Sequence, residues 1–223
     1  MVLDSSRRDG FRMDITWYGR NCFRLMERGK GALVTDPFNA SNGTNPRFRA
    51  DIVTISGDVP GYSDLDAVKG ATLTISRPGE FEVGGIFITG VAAFNREDPN
   101  PRRTIIYVFD LGNYTICHLG NLNYVPNQSQ IEALGQVDVL MVPVGGGPGL
   151  SSGQAGAVIS LIEPSIVIPM NYSTERTGNG LEPLDKFLKE MGTGHIEPEG
   201  LFRIGSSPTF EEETQIIVLE EQE

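Results

Sequence analysis

Short apolar runs separated by turn residues make up the first half of the chain. β-Branched and aromatic residues are concentrated in these runs, as is typical of β-strands, and Gly, Pro, Asn or Asp lies within three residues after most of them. The runs lie at 15–18, 22–26, 32–35, 51–55, 71–75, 81–83 and 87–91. Two further runs, 104–111 and 114–119, are joined by Gly112 and Asn113, which is a strong hairpin signal. Such closely spaced turn residues predict antiparallel hairpins.

The second half of the chain has a different pattern. Residues 137–142 and 166–168 are continuous apolar runs, as expected of strands that are buried on both faces. Between them, residues 153–162 carry apolar side chains at helical spacing, with Ser151 or Ser152 as the N-cap. Two groups of strands with few helices predict an α+β fold of two stacked sheets with helices outside. The other predicted elements are helices at 128–134 and 184–191 and strands at 202–204 and 215–219.

Length and composition limit the class of protein. With 223 residues, 39% of them hydrophobic, the chain is long enough for one domain, expected at 13–223 after a loose polar leader at 1–12. A net charge of −11 repels a nucleic-acid backbone, so no nucleic-acid partner is expected. No stretch approaches the roughly 18 apolar residues that span a bilayer, so no membrane partner and a cytoplasmic location are expected. Cys22 and Cys117 lie in apolar runs, which favours buried free thiols.

Seven segments, in order along the chain, carry a resemblance to a known family. They are ITWYGRNCFRL (15–25), VTDPF (34–38), DIVTIS (51–56), PGEFEVGG (78–85), HLGN (118–121), VDVLMVPVGG (137–146) and PMNY (169–172). Together they resemble the metallo-β-lactamase-fold hydrolases, in particular the branch of L-ascorbate-6-phosphate lactonase and its Zn-dependent hydrolase relatives. The resemblance extends from about residue 13 to 219. It implies a four-layer αββα sandwich and a zinc site built from imidazoles and carboxylates.

The resemblance also implies which positions would ligate the zinc, and this sequence departs from the family at each of them. Those positions hold Gly57, Val59, Gly61, Tyr62, Asn95, Asn121 and Asn171, and Arg20 replaces an imidazole often found after the first strand. Glycine and valine side chains offer no donor atom, and asparagine amides are neutral, weak ligands. The sequence therefore predicts that the zinc site is lost and that the chain takes no cofactor. Without a metal, no water is activated as a metal hydroxide.

Three other residues are candidates for catalysis. His118 ends a strand, and a histidine that is hydrogen-bonded in the interior is favoured over a general base. Asp36 and Asp58 are the carboxylates nearest to the lost site. Asp36 is expected to cap backbone N–H groups in its own loop. Metal-free hydrolysis by an acid pair is the alternative, and it would need a raised pKa. The other histidine, His195, lies in a Gly-rich connection and is expected at the surface.

The three asparagines allow two interpretations. With Arg20 and Tyr62, the side chains of Asn95, Asn121 and Asn171 could form a polar pocket for a small anionic or carbonyl ligand. Alternatively, the amides fill the space and satisfy one another, which is the favoured interpretation.

These observations favour a non-catalytic pseudoenzyme with a binding or scaffolding role, whose partner is an unknown small molecule or protein. The alternative is a hydrolase or lactonase-like enzyme that acts on small substrates, including phosphorylated ones, with a substitute or metal-free site. Burial of charged Asp36 or Asp58 away from any cation would favour the enzyme. A pocket filled by Tyr62 and the three asparagines would count against it. A third hypothesis is a homo-oligomer that forms through exposed apolar surface.

Overall fold

A computed structural model places most of the chain. It describes residues 13–27, 29–38, 48–57, 59–60, 63–95, 98–111, 114–176, 180–205 and 213–222. The leader predicted at 1–12 lies outside these residues, and the division into a leader and a single domain stays a prediction.

Strands dominate the described residues. The strands are β1 (Met13–Trp17), β2 (Phe23–Glu27), β3 (Ala32–Thr35), β4 (Phe48–Arg49), β5 (Ile52–Thr54), β6 (Val68–Lys69), β7 (Leu73–Ile75), β8 (Gly79–Val83), β9 (Ile86–Ala93), β10 (Thr104–Asp110), β11 (Thr115–His118), β12 (Val139–Pro143), β13 (Ile166–Met170), β14 (Phe202–Ile204) and β15 (Gln215–Ile216). The helices are α1 (Gln128–Glu132), α2 (Ser152–Ile162) and α3 (Leu184–Glu190), with a 3₁₀ turn at Leu65–Ala67. None of these helices is long and apolar enough to cross a membrane.

Two large sheets form the body of the fold. One has six strands in the order β14-β1-β2-β3-β5-β7, the other has seven in the order β15-β13-β12-β11-β10-β9-β8, and β4 pairs with β6 in a separate ribbon. The predicted α+β sandwich of two sheets is therefore confirmed. The expectation of antiparallel hairpins is wrong for β3, β5 and β7, which pair in parallel. Long connections between these strands allow the chain to return to the same end of the sheet before each new strand begins.

The main core lies between the two sheets. Leu33, Ile52 and Ile75 of the six-stranded sheet belong to the same buried cluster as Ile88 and Phe109 of the other sheet. Alternate residues of a strand face opposite ways. Accordingly Ala32 and Val34, the neighbours of Leu33, join a second cluster with Phe48 and Ala67 on the other face.

The seven-stranded sheet is covered on its outer face by helices. All five residues of β12 and of β13 are buried, as predicted for strands covered on both faces. Helix α2 packs against β12 and against α3. The Ser151 side chain accepts a hydrogen bond from Gln154 N and caps α2, as one of the two expected caps. Cys22 and Cys117 are buried free thiols, which confirms that prediction.

Candidate functional site

The ends of six parallel strands meet at one side of the molecule. Strands β3, β5 and β7 run parallel in one sheet, and β11, β12 and β13 run parallel in the other. In open parallel sheets, ligands bind beyond the carboxyl ends of the strands. The residues that follow these strands are Asp36, Ser56, Ser76, Asn121, Gly145 and Asn171.

Asp36 occupies the end of β3 and is bound to the end of β5. Its carboxylate accepts hydrogen bonds from Ser56 N (2.6 Å) and Ser56 Oγ (2.5 Å), and its side chain is buried. Burial raises the pKa of Asp36 from the ordinary 3.8 to about 7, although the hydrogen bonds from Ser56 and Asn21 favour the charged form. Asp36 therefore caps a backbone N–H, as predicted, but that N–H belongs to the neighbouring strand end rather than to its own loop.

Ser56 also joins the two sheets. Its carbonyl oxygen accepts hydrogen bonds from Ile105 N (2.6 Å) and Thr104 Oγ1 (3.2 Å) at the start of β10. A Cβ added to Gly120, after β11, would lie 2.5 Å from Ser56 Oγ, so the two loops are in close contact. The end of β5 is thus held by Asp36 on one side and by β10 on the other.

His118 lies inside this end of the molecule. Its side chain is 0% exposed, and its Nε2 lies 2.9 Å from the carbonyl oxygen of Asn21. Because a carbonyl can only accept, Nε2 carries the proton and Nδ1 is an acceptor, for which the described residues supply no donor. Burial lowers the pKa of His118 to about 4, so it is neutral at neutral pH. The prediction of an interior, hydrogen-bonded histidine is confirmed.

The turn between β1 and β2 fits between the two rows of strand ends. Asn21 Nδ2 donates to Asn121 Oδ1 (2.9 Å), so the amide at the family's bridging-carboxylate position is paired with another amide. Asn171 N and Trp17 Nε1 both donate to the carbonyl oxygen of Arg20, each at 3.0 Å. The turn therefore fixes the positions of both Asn121 and Asn171.

Backbone strain is concentrated at these positions. Among the residues that the structure describes, four residues other than glycine have positive φ, and three of them belong to this region: Arg20 (48°), Asp36 (37°) and Asn171 (53°). Such conformations cost about 1 kcal/mol or more and persist only where surrounding contacts hold them. The strain supports a functional role for the strand ends.

The expected five-residue pocket is divided in the structure. Arg20 contacts Asn171, and Asn121 contacts Asn21, whereas Asn95 lines a separate pocket of about 440 Å³ together with Tyr124. Asp58, Gly61 and Tyr62 lie outside the described residues, so their predicted roles are not placed. His195 is at the surface, as expected, with its side chain 74% exposed.

A larger pocket opens beside Asp36 and Ser56, and we call it the strand-end pocket. Its volume is about 530 Å³. Its lining residues are Ser56, Gly57, Val59, Pro60, Ser76, Pro78, Ala92, Phe94, Arg102, Arg103, Thr104 and Ile105. Two of the family's ligand positions, Gly57 and Val59, are in its wall. Sequence reasoning missed Arg102 and Arg103, because residues 95–103 have only the pattern of a polar loop and nothing in that pattern shows what the loop faces.

Within the described ranges, no three His, Cys, Asp or Glu side chains are grouped so that they could hold a metal ion. Asp36 and His118 are two buried titratable side chains at the strand ends. Both are engaged by Ser56 or Asn21, and neither lines the strand-end pocket.

Comparison with known proteins identifies relatives of this chain. The family profile described as "Beta-lactamase superfamily domain" matches residues 14–171. A crystal structure of a proposed Zn-dependent hydrolase of the metallo-beta-lactamase superfamily from Thermotoga maritima is 35% identical, with a TM-score of 0.75, over 93% of this chain and 98% of that one. A UPF0173 protein of Pyrococcus furiosus is 28% identical over 80% of this chain and 90% of its own length. A UPF0173 metal-dependent hydrolase of Thermoplasma acidophilum is 26% identical over 73% and 84%.

These relatives correct one expectation. The prediction that the chain takes no cofactor is wrong, because relatives from Thermoplasma acidophilum, Methanosarcina mazei and Archaeoglobus fulgidus are named metal-dependent hydrolases, which implies a metal cofactor. The error arose because the absence of ligands at the aligned positions was extended to the whole chain.

The side chains described at those aligned positions nevertheless do not fit a zinc ion. Gly57 and Val59 have no donor atom, and the Asn121 amide oxygen is already occupied by Asn21. Zinc sites in proteins use imidazole, thiolate or carboxylate ligands. No catalytic step is therefore assigned to a metal held by these residues.

Proposed function

Because this chain belongs to the metallo-β-lactamase superfamily, we propose that it uses the superfamily's strand-end cleft to bind a small molecule without hydrolysing it. Relatives named as metal-dependent hydrolases support a hydrolase-like ancestry. The names of these relatives do not indicate a pseudoenzyme, so that role is our own proposal. The proposal also includes a scaffolding role, in which the chain binds a protein partner or a second copy of itself.

The observation that carries the proposal is the composition of the strand-end pocket. At about 530 Å³ it is within the size range of small-molecule sites, and it lies where the family places its chemistry. Gly57 and Val59 lie in the pocket wall, and their side chains have no donor atom that could bind a metal. A general base must come within hydrogen-bond reach of the proton that it removes. Asp36 and His118 are buried behind the wall and engaged by other groups.

The hydrolase alternative has one observation in its favour. Asp36 is a buried carboxyl group with a pKa near 7. A buried carboxyl group with a perturbed pKa favours an enzyme over a binding protein. Its Oδ2 lies 2.5 Å from Ser56 Oγ, and Ser56 is part of the pocket wall. A carboxyl group with such a pKa can accept a proton at neutral pH. A hydrolase or lactonase that acts on small substrates, including phosphorylated ones, would use this pair.

We expect replacement of Ala92 by Trp to abolish ligand binding, because Ala92 is an exposed residue of the pocket wall and an indole would fill the space. The test is a thermal-shift screen of small metabolites, in which a ligand at 100 times its Kd stabilises the protein by about 2.7 kcal/mol. Every compound that raises the Tm of the native protein should fail to do so with Ala92→Trp.

Phe87→Trp is the matched control. Phe87 is an exposed residue of the same strand outside the pocket, so this variant should bind as the native protein does. Compounds that stabilise both Trp variants equally bind elsewhere and would contradict the proposal. Mass spectrometry of each bound compound after incubation separates binding from hydrolysis, and recovery of a hydrolysis product would favour the enzyme alternative.

The proposal also covers location and partners. The net charge of −11 supports the exclusion of nucleic acid. The buried free thiols Cys22 and Cys117 are compatible with a reducing, cytoplasmic location.

A further inference from the structure

Two adjacent arginines stand at the strand-end pocket. Arg102 and Arg103 are exposed, and both line the pocket. Arg102 Nη1 donates to Pro148 O (3.0 Å), and the Arg103 guanidinium lies over the Phe94 ring, 5.7 Å from its centroid. These contacts orient both side chains before any ligand arrives. An arginine fork that is held in place loses less conformational freedom when it binds a carboxylate or phosphate.

Neither arginine is neutralised by an acid in the described part of the chain. The ion pairs found there involve other cations, such as Lys30 and Arg203. Arg102 and Arg103 are also the only charged side chains among the described residues of the pocket wall. In a chain with a net charge of −11, this pair places two positive charges at the pocket wall.

The remaining wall divides into apolar and polar parts. The apolar part consists of Val59, Pro60, Pro78, Ala92, Phe94 and Ile105. The hydroxyl groups of Ser56 and Thr104 are engaged, by Asp36 and by the Ser56 carbonyl oxygen. Ser76 is exposed at the end of β7, beside the arginines' pocket, and can add a hydrogen bond. The wall therefore combines an apolar surface with a cationic edge.

We propose that the ligand of the strand-end pocket is a small organic anion, with a flat apolar body against Phe94 and Ile105 and a carboxylate or phosphate group at Arg102 and Arg103. This inference rests on the proposed binding function and names its ligand class. Guanidinium groups bind both kinds of oxyanion through paired hydrogen bonds. The Phe94 ring in the pocket wall can pack against a planar body.

Isothermal titration with three matched probes tests the charge requirement: 2-naphthoate, 2-naphthylphosphonate and the neutral 2-naphthamide. We expect at least one anion to bind ten times more tightly than the amide. Arg102→Gln and Arg103→Gln should each weaken that anion tenfold or more and change amide binding less than twofold. Arg203→Gln removes the same charge from an exposed site on β14 and should leave all affinities unchanged. The phosphonate is used because it cannot be hydrolysed as a phosphate ester can.

Equal binding of the amide and the anions would overturn the inference, as would unchanged anion affinity in both Gln variants. If the amide binds as tightly as the anions and Ala92→Trp abolishes that binding, the proposed binding function stands while the anion inference fails. If none of the three probes binds at millimolar concentration, the anion inference is overturned. The wider metabolite screen with Ala92→Trp then decides the binding function separately.

Discussion

Gly145→Ala should lower the free energy of unfolding by about 3 kcal/mol or more. A Cβ at this position would run into the backbone carbonyl oxygen of Asn171 and would lie 2.8 Å from Tyr172 Cα. Forcing extra atoms into a packed region costs roughly 1–3 kcal/mol, and more when the obstacle is backbone that cannot rotate away. Here that backbone is held by β12, which pairs in parallel with β13, and by the hydrogen bond from Asn171 N to Arg20 O.

Gly194→Ala is the matched control for this change. Gly194, like Gly145, has no positive φ, and nothing lies within 4 Å of a Cβ added there. Urea denaturation of the two variants should show a large loss for Gly145→Ala and a change within about 0.5 kcal/mol for Gly194→Ala, as for other surface substitutions. A loss below about 1 kcal/mol at Gly145 would mean that the ends of β12 and β13 are not in such close contact.

Asp36→Asn should change how stability depends on pH between about pH 4 and 7. The folded pKa of Asp36 is raised to about 7, above the ordinary 3.8, so the native state binds more protons than the unfolded state in this range. The contribution of Asp36 to stability is complete below pH 4 and is lost as the pH rises through 7. The loss is at most about 4 kcal/mol, since each pKa unit corresponds to about 1.4 kcal/mol.

The asparagine variant has no such titration. Its Oδ1 can still accept from Ser56 N, while its Nδ2 would face Ser56 Oγ and would have to donate to it, so Asp36→Asn should be no more stable than the native protein at pH 4.5. Relative to the native protein, the variant should gain stability between pH 4.5 and pH 8, where Asp36 loses its proton. Asparagine also tolerates the positive φ of 37° better than most residues. Parallel stability curves for the two proteins from pH 4.5 to 8 would show that Asp36 does not titrate in this range.

Hydrophobic pattern was sufficient to predict the two sheets. Strand β3 lies at the predicted residues 32–35, and β12 was recognised because five consecutive buried residues leave no polar face. The parallel pairing of β3, β5 and β7 was missed. A strand's own residues show its burial but not the direction of its neighbour. The short turn-rich spacing of the first half therefore suggested hairpins throughout.

The candidate site was less predictable than the fold. Asp36 and Ser56 are 20 residues apart, and they meet because β3 and β5 are parallel neighbours whose carboxyl ends lie side by side. The resemblance located the positions of Asn121 and Asn171, but it could not show that Asn121 pairs with Asn21. Arg103 was missed for a similar reason. A polar loop residue is recognised as part of a pocket only when the facing strand ends are known.

The central proposal is that Asn121 and Asn171 do not ligate a zinc ion. Calorimetric zinc titration of the native protein beside Asn121→Ala and Asn171→Gly tests it most directly, and the glycine retains the positive φ at 171. Circular dichroism confirms that each variant is folded. The account predicts that both variants give the zinc isotherm of the native protein within twofold. Stoichiometric zinc binding that weakens tenfold or more in either variant would contradict it and place the hydrolase alternative first.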